Sequence, residues 1–213
     1  MYHFENSEMC RIENSLMLQG FKHIGGIDEA GRGALAGPVV AACIILNPES
    51  IPGGVVDSKT ISEAVREKLF YELKKSAISI GVGIVDPETI DKINIYNATK
   101  LAMKIAVENM SLKPDFLLID AVKLDNINIT GLSMVKGERK SVSIAAASII
   151  AKVTRDRILI ELDAKFPEYG FKKHKGYGTA YHRDVLEKYG PTAVHRYSYR
   201  PVRESAKRFG IWR

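Results

Sequence analysis

The chain has 213 residues and a net charge of +6, and 46 % of its residues are hydrophobic and 26 % charged. This composition excludes an intrinsically disordered chain, and no Pro-, Gly- or Ser-rich linker divides it, so we expect one domain. No apolar run is long enough to span a bilayer and no signal-peptide pattern begins the chain, so we expect a cytoplasmic protein with no membrane partner. Two cysteines, Cys10 and Cys43, support neither a disulfide framework nor a thiolate metal site.

Apolar periodicity predicts alternating helices and strands, and hence an α/β fold with a mixed sheet flanked by helices. A capping-box pattern at Thr60 and Glu63 begins one predicted helix, and Gly190-Pro191 ends the last one. The predicted elements, in chain order, are a helix over 7–19, strands over 24–27 and 39–46, a helix over 61–75, a strand over 76–85, a helix over 94–110, strands over 115–120 and 131–136, and helices over 143–162 and 179–189.

Three parts of the chain differ in composition. We expect residues 1–20 to form a helical extension, residues 21–165 the core, and residues 166–213 a basic helical region that binds substrate and packs on the same domain.

Positive charge is concentrated towards the C-terminus. Residues 165–213 carry 12 Lys and Arg against 4 Asp and Glu, a net charge of +8, whereas residues 1–164 carry 19 against 21, a net charge of −2. A solvated basic surface would give the same imbalance, but interleaved aromatic residues suit stacking on bases or sugars beside phosphate contacts. The pattern therefore favours a polyanionic partner. These aromatic residues are Tyr169, Phe171, Tyr177, Tyr181, Tyr189, Tyr197 and Tyr199.

Acidic residues follow two of the predicted strands. Asp28 and Glu29 end the first strand, and Asp120 ends the fourth. If these strands are neighbours in the sheet, the three carboxylates converge at the strand ends, where α/β proteins commonly bind ligands. Oxygen ligands without His or Cys favour Mg²⁺ or Mn²⁺. An ordinary charged turn is the alternative, which burial between two apolar strands disfavours.

A glycine-rich turn comes directly after the acidic pair. Gly31, Gly33 and Gly37 surround Arg32, so the backbone can approach a ligand and present N–H donors beside a guanidinium. A phosphate-bearing partner fits this turn.

Six motifs in order along the chain resemble those of bacterial type 2 ribonucleases H, the ribonuclease HII family. The resemblance runs from about residue 24 to Pro201. The motifs are GIDEAGRG at 26–33, DSKTIS at 57–62, INIYNATKLAM at 93–103, LLIDA at 117–121, SIAAASIIAKVTRDR at 143–157 and HKGYGT at 174–179.

This resemblance implies a ribonuclease H-like fold with a mixed five-stranded sheet. It also implies an endonuclease that cuts the RNA strand of RNA–DNA hybrids and cuts 5′ of ribonucleotides embedded in duplex DNA. The implied chemistry is two-metal-ion phosphodiester hydrolysis with Mg²⁺ or Mn²⁺, leaving a 3′-hydroxyl and a 5′-phosphate. We expect the protein to act as a monomer.

The resemblance assigns four metal-binding, catalytic carboxylates. Asp28, Glu29 and Asp120 match three of them. The fourth is usually an Asp in a Lys-Gly-Asp element, where this chain has Glu138, so charge is kept and reach is changed. Asp156 is the rival for the fourth place.

We expect a structural role for Asp156, because Arg155 and Arg157 flank it and offer ion-pair partners. Glu138 is thus the expected fourth ligand.

Substrate contacts are also implied by the resemblance. Gly31, Arg32 and Gly33 match the turn that holds the ribonucleotide 2′-hydroxyl and its phosphate, and the 2′-hydroxyl is what separates RNA from DNA. Tyr177 matches the tyrosine that stacks on the following deoxyribose, and its polar surroundings argue against a core position.

Three further residues are candidates for phosphate contacts: Lys59, Ser148 and Lys152. A turn lysine, a helix-packing serine and a solvated helix lysine are equally open interpretations of them. The histidines of the basic region are expected to contact phosphate or lie at the surface, since metal-ion chemistry needs no histidine base. They are His174, His182 and His195.

Two other functions compete with this hypothesis. One is a nucleic-acid-binding module with a degenerate site, suggested by the altered fourth carboxylate. The other is a DNA nuclease of the same fold, which the Gly-Arg-Gly turn and Tyr177 disfavour.

Overall fold

The computed structural model describes residues 7–124 and 127–211, so the expectations for residues 1–6 and 212–213 fall outside the described residues. Its strands are β1 (Ile24–Ala30), β2 (Val39–Ile45), β3 (Ser79–Val85), β4 (Phe116–Asp120) and β5 (Thr130–Met134). Its helices are α1 (Arg11–Leu18), α2 (Glu63–Ser76), α3 (Pro87–Glu108), α4 (Val142–Lys165), α5 (Phe171–His174), α6 (Ala180–Tyr189) and α7 (Arg200–Arg208).

Within these residues the strands form one five-stranded mixed sheet in the order β3-β2-β1-β4-β5. Strand β1 is antiparallel to β2 and parallel to β4, with Ile27 opposite Ile119. Strand β3 pairs antiparallel with β2 at one edge, and β5 pairs parallel with β4 at the other. The predicted α/β fold is confirmed. The first and fourth strands are neighbours, as convergence of the acidic residues requires.

Helices cover both faces of the sheet. Alternate residues of β2 point to opposite faces, so Ala42 packs in the cluster with α2 and α4 while Cys43 packs in the cluster with α3. Helix α4 lies very close to β1: a Cβ on Gly26 would be only 2.1 Å from the carbonyl carbon of Ser143, so only glycine fits there. The small residues 145–147 of α4 are fully buried at this contact.

The start of α2 differs from the prediction. Ser62, not Thr60, caps the helix, because its Oγ accepts a hydrogen bond from the N–H of Val65. The Thr60 hydroxyl instead donates to the carbonyl of Asp57 at 2.7 Å, inside the preceding loop. The capping-box pattern located the helix within two residues but named the wrong cap.

Helix α3 is longer than predicted and is kinked. It begins at Pro87 with Asp86 as its cap, and Asn94 interrupts it with a φ of 65°. The Asn94 side chain accepts a hydrogen bond from the N–H of Asn97, so it caps the second segment. The predicted helix over 94–110 corresponds to that segment.

The basic region contains a helix that the sequence analysis missed. Helix α7 has Pro201 in its first turn and is rich in charged residues, and its few apolar residues share one face. Its Val202 is fully buried, in a cluster with Leu35, Leu159 and Phe171. The basic region thus shares an apolar cluster with α4 and with the glycine-rich turn.

Helix α1 is attached to the start of α4 through a buried carboxylate. Glu13 accepts hydrogen bonds from the Ser141 hydroxyl and from the Ser143 N–H. Burial raises the pKa of Glu13, although these donors oppose the rise. Among the described residues, no helix is both long and apolar enough to cross a membrane.

Candidate active site

The predicted acidic residues lie at one end of the central strands. Asp28 and Glu29 are among the last three residues of β1, and Asp120 is the final residue of β4. Glu138 lies in a 3₁₀ turn, Gly137–Arg139, just before α4. The N–H of Gly137 donates to Asp120 Oδ1 at 2.7 Å, so this turn is fixed directly against the end of β4.

Burial and mutual repulsion shape the electrostatics of this acidic edge, the set Asp28, Glu29, Asp120 and Glu138. Asp28 is 5 % exposed. Burial, followed by the charges of Glu29 and Asp120, raises the pKa of Asp28 well above its ordinary value. Burial also raises the pKa of Glu29, although Arg32 counteracts it, with Nη1 3.3 Å from Glu29 Oε1.

A lysine lies beside the acidic edge. The Lys59 ammonium is 4.0 Å from Glu138 Oε1. Partial burial disfavours its charged form, but the charges of Asp28, Glu138 and other nearby carboxylates outweigh this effect and raise the pKa of Lys59. Lys59 therefore supplies positive charge where the carboxylates repel one another.

Ser148 holds the loop that carries Lys59. Its hydroxyl is buried, donates to the carbonyl of Ala145 at 2.8 Å and accepts from the N–H of Ser58 at 3.4 Å. The side chain is committed to this loop and is not presented at the surface.

The acidic edge has the chemistry of a hard-cation site. All its donors are oxygens, which suit Mg²⁺ or Mn²⁺. Glu29 Oε2 and Glu138 Oε2 are buried and have no hydrogen-bond partner in the part of the chain described. In their present orientations, no three acidic, histidine or cysteine side chains of the described residues are arranged to hold an ion. The residues fit a cation by donor type, and their side chains must reorient to share one.

Asp156 pairs with a lysine rather than with the arginines beside it. Lys152 Nζ is 2.6 Å from Asp156 Oδ1, one helical turn away on α4. Arg157 pairs with Glu67, and Arg155 points to backbone carbonyls. The predicted ion-pair partners were therefore wrong. Lys152, a candidate for a phosphate contact, therefore forms an ion pair inside the protein instead.

The Gly-Arg-Gly turn is shaped by a buried arginine beneath it. Gly31 has a φ of +96°, and a Cβ at this position would be 1.9 Å from Arg155 Nε. No side chain other than hydrogen fits there. Gly33 is exposed and has open space around its Cα, so its backbone is accessible to a ligand.

Tyr177 lies next to this turn. Its ring is 38 % exposed and has the Arg155 guanidinium 5.4 Å from its centroid. Residue Ala34 forms a β-bridge with Tyr177, and the N–H of Leu35 donates to the carbonyl of Gly176 at 2.8 Å. Main-chain hydrogen bonds thus bring the turn and the tyrosine together, although they are more than 140 residues apart in sequence.

Two of the three histidines are buried, which corrects the expectation of phosphate contact or surface exposure. His182 is 0 % and His195 1 % exposed, and burial lowers their pKa values to about 4 and about 3. His174 stacks on His182 with ring centroids 4.4 Å apart. These rings pack against one another, and His182 contacts the Tyr177 carbonyl, an arrangement that the polar sequence neighbours do not indicate.

Hydrogen bonds fix the tautomers of the buried pair. The N–H of Thr192 donates to His195 Nδ1, so the His195 proton is on Nε2. That N–H donates to His182 Nε2 at 3.0 Å, which leaves the Nδ1–H of His182 to donate to the carbonyl of Tyr177. The histidine pair therefore supports the backbone of the Tyr177 loop.

Two buried arginines were not recognised as site residues from the sequence. Arg155 and Arg196 are 1 % and 0 % exposed and bond to carbonyls around the glycine-rich turn. For Arg155, the sequence does give one indication of burial, because this charged residue lies within the mostly apolar α4. Nothing in the sequence around Arg196 indicates its burial.

A five-stranded mixed sheet with acidic residues at the ends of its two central parallel strands defines the ribonuclease H-like class of protein. The ribonuclease HII family model matches residues 25–202. Ribonuclease HII of Acetivibrio thermocellus is 58 % identical over 192 residues, which cover 90 % of this chain and 75 % of that protein. Ribonuclease HII of Caldicellulosiruptor bescii is 49 % identical, covering 92 % of this chain and 95 % of that protein.

A solved structure, the ribonuclease H2 of Pyrococcus horikoshii, has the same fold with a TM-score of 0.78. It is 28 % identical, covering 89 % of this chain and 99 % of that protein. The chain belongs to the ribonuclease HII family. It is an enzyme, an endoribonuclease of the hydrolase class.

Proposed function

We propose that this protein cuts the RNA strand of RNA–DNA hybrids and the 5′ side of ribonucleotides embedded in duplex DNA. The observation that carries the proposal is the placement of Asp28 and Glu29 directly before the Gly-Arg-Gly turn, with the partly exposed Tyr177 bridged to the same segment. A monomer acting in the cytoplasm stays a prediction.

Asp28, Glu29, Asp120 and Glu138 would hold the divalent cations, Mg²⁺ or Mn²⁺. Such ions activate water as a nucleophile and stabilise the leaving oxygen of a phosphodiester. The two unpartnered buried oxygens, Glu29 Oε2 and Glu138 Oε2, support this assignment, because unsatisfied buried carboxylate oxygens are costly unless a cation compensates them.

The chain's own residues would position the scissile phosphate. Gly33 leaves the backbone of the turn open to the 2′-hydroxyl, and Arg32 is 40 % exposed beside it. Tyr177 would stack on the deoxyribose that follows. Lys59, whose side chain is 76 % exposed, would contact a phosphate while neutralising the acidic edge.

Ser148 and Lys152 would act differently from the phosphate contacts first considered. Both side chains are engaged inside the protein, Ser148 with the Lys59 loop and Lys152 with Asp156. We assign them indirect roles, in holding the loop and the helix that border the acidic edge.

A DNA duplex with one ribonucleotide tests the proposal directly. The protein is incubated with this duplex in Mg²⁺ or Mn²⁺, beside all-DNA and all-RNA duplexes. Cleavage 5′ of the ribonucleotide, leaving a 3′-hydroxyl, is the expected result. Binding without cleavage supports a degenerate binding module, and cleavage of the all-DNA duplex supports a DNA nuclease.

A further inference from the structure

Two arginines are buried together beneath the Gly-Arg-Gly turn without acidic partners. Arg155 and Arg196 are at most 1 % exposed. In the described parts of the chain neither guanidinium forms an ion pair with a carboxylate. Burial lowers the pKa of Arg155 to about 10 and also lowers the pKa of Arg196. A guanidinium nevertheless stays charged in proteins. Such buried charge is unfavourable unless its hydrogen bonds are satisfied, so the partners of these side chains matter.

Arg155 joins two segments of the candidate site. Its Nε donates to the carbonyl of Pro38 at 2.9 Å and its Nη2 to the carbonyl of Ala36 at 3.1 Å. Its Nη1 donates to the carbonyl of Lys175 at 2.9 Å, two residues before Tyr177. One rigid guanidinium therefore fixes the distance between the glycine-rich segment and the Tyr177 loop.

Arg196 holds the same turn from its other side. Its Nε and Nη2 both donate to the carbonyl of Gly37, at 3.0 and 2.9 Å. Its Nη1 donates to the carbonyl of Arg32 at 2.9 Å, and the Tyr199 hydroxyl donates to that same oxygen. The backbone of Arg32 is thus fixed by two donors from the basic region.

The glycines complete this arrangement. A Cβ at Gly31 would be 1.9 Å from Arg155 Nε, and a Cβ at Gly176 would be 2.5 Å from the carbonyl oxygen of Ala36. Both glycines have positive φ angles, +96° and +80°. A side chain at Gly31 would therefore displace the Arg155 guanidinium, and one at Gly176 would push the Tyr177 loop away from the turn.

We propose that Arg155 and Arg196 are positioning residues that set the spacing between the 2′-hydroxyl-binding turn and Tyr177, and so determine preference for a ribonucleotide followed by a deoxyribonucleotide. The inference rests on the proposed function. A junction substrate needs the turn and Tyr177 to engage adjacent nucleotides together. An uninterrupted RNA–DNA hybrid places a 2′-hydroxyl where Tyr177 would stack, so it depends less on that spacing.

The test is Arg155→Lys, which keeps the charge but loses the fork of donors. The ratio of kcat/KM for the single-ribonucleotide duplex to kcat/KM for a continuous hybrid is measured in Mn²⁺. We expect this ratio to fall about 10- to 100-fold, the scale of a misplaced substrate contact. The matched control is Arg157→Lys, two residues along α4 and paired with Glu67 at the surface, which leaves the ratio unchanged.

Equal losses on both substrates would overturn the proposal, because the arginine would then only stabilise the fold. If Arg155→Lys does not fold, Tyr199→Phe removes one donor to the Arg32 carbonyl and must lower the ratio in the same direction.

Binding in EDTA separates this inference from the proposed function. Fluorescence anisotropy compares junction duplex with all-DNA duplex, without cleavage. A wild-type preference for the junction that Arg155→Lys loses supports the arginine pair, even if the protein cuts neither duplex. Absence of any wild-type preference contradicts it.

Discussion

The Asp28 side chain combines burial with two neighbouring carboxylates. Its Oδ1 accepts a hydrogen bond from the N–H of Glu29 at 2.7 Å, which only partly offsets those effects. A carboxyl whose pKa is raised by folding favours the folded state while it is protonated, and this advantage is lost as pH rises through the raised pKa. Without a cation, the raised pKa of Asp28 therefore destabilises the folded protein at neutral pH, where the carboxyl is ionised in the unfolded chain.

Asp28→Asn should stabilise the metal-free protein while removing its response to Mn²⁺. We expect thermal unfolding at pH 7.5 in EDTA to shift upwards, by roughly 2–4 °C for each kcal/mol of repulsion relieved. The stabilisation that Mn²⁺ gives to the wild type should disappear. Glu161→Gln, at an exposed position on α4, is the control. A lower melting temperature for Asp28→Asn in EDTA would contradict this, because Asp28 would then stabilise the metal-free protein.

At the scale of elements, the basic region is built around uncharged histidines. The pair His182 and His195 supports the Tyr177 carbonyl, and its rings pack with Phe171. A histidine whose pKa is lowered by burial stabilises the fold fully above its unfolded pKa of about 6.5. That contribution is lost as pH falls towards the folded pKa, about 4 for His182.

His182→Gln should reduce the acid sensitivity of this region. The free energy of unfolding is measured by urea denaturation from pH 7 to pH 4, for the wild type and the variant. As the pH falls from 7 to 4, the free energy of unfolding of the wild type should fall relative to that of the variant by up to about 3 kcal/mol. His23→Gln, at a partly exposed position before β1, is the control. A difference between wild type and variant that does not change with pH would contradict the lowered pKa of His182.

The whole molecule divides into an acidic edge and a basic C-terminal region, and this charge asymmetry was available from the sequence. The sheet was also predictable, because apolar runs and turn residues located each strand, and Asp28, Glu29 and Asp120 ended two of them. The arginine pair was not predictable. Apart from the Lys175 carbonyl, 20 residues from Arg155, its carbonyl partners lie 117 to 164 residues away, and a backbone acceptor cannot be recognised from the side chain of its residue.

Helix α7 was missed for a related reason. Its few apolar residues, Val202 and Ala206, share one face but stand among charged residues, so the segment has the composition of an exposed basic tail. For Ser148, phosphate contact and helix packing stayed equally open, because the bond from the N–H of Ser58 to its hydroxyl spans 90 residues and has no local sequence signal.

Binding of duplex should weaken with salt through the basic region. Exposed Lys172 and Lys173 lie beside Tyr177 in sequence, and replacing each with Gln should reduce the slope of log K against log salt by about 0.9 if each contacts one phosphate. Lys104→Gln on α3 is the control. Slopes that stay unchanged would place the nucleic acid elsewhere on the molecule. Anisotropy titrations between 50 and 200 mM salt, the range over which such contacts are sensitive, provide the measurement.

Cleavage by two acidic variants tests the central claim, that the acidic edge with Glu138 is the metal-dependent active site. Single-turnover cleavage of the single-ribonucleotide duplex in Mn²⁺ is compared for Glu138→Gln and Asp156→Asn. We expect Glu138→Gln to lose at least about 100-fold in rate, because a lost cation ligand removes several kcal/mol of transition-state stabilisation. Asp156→Asn should stay within about threefold of wild type, a change of under 1 kcal/mol. The reverse order of the two variants would contradict the account.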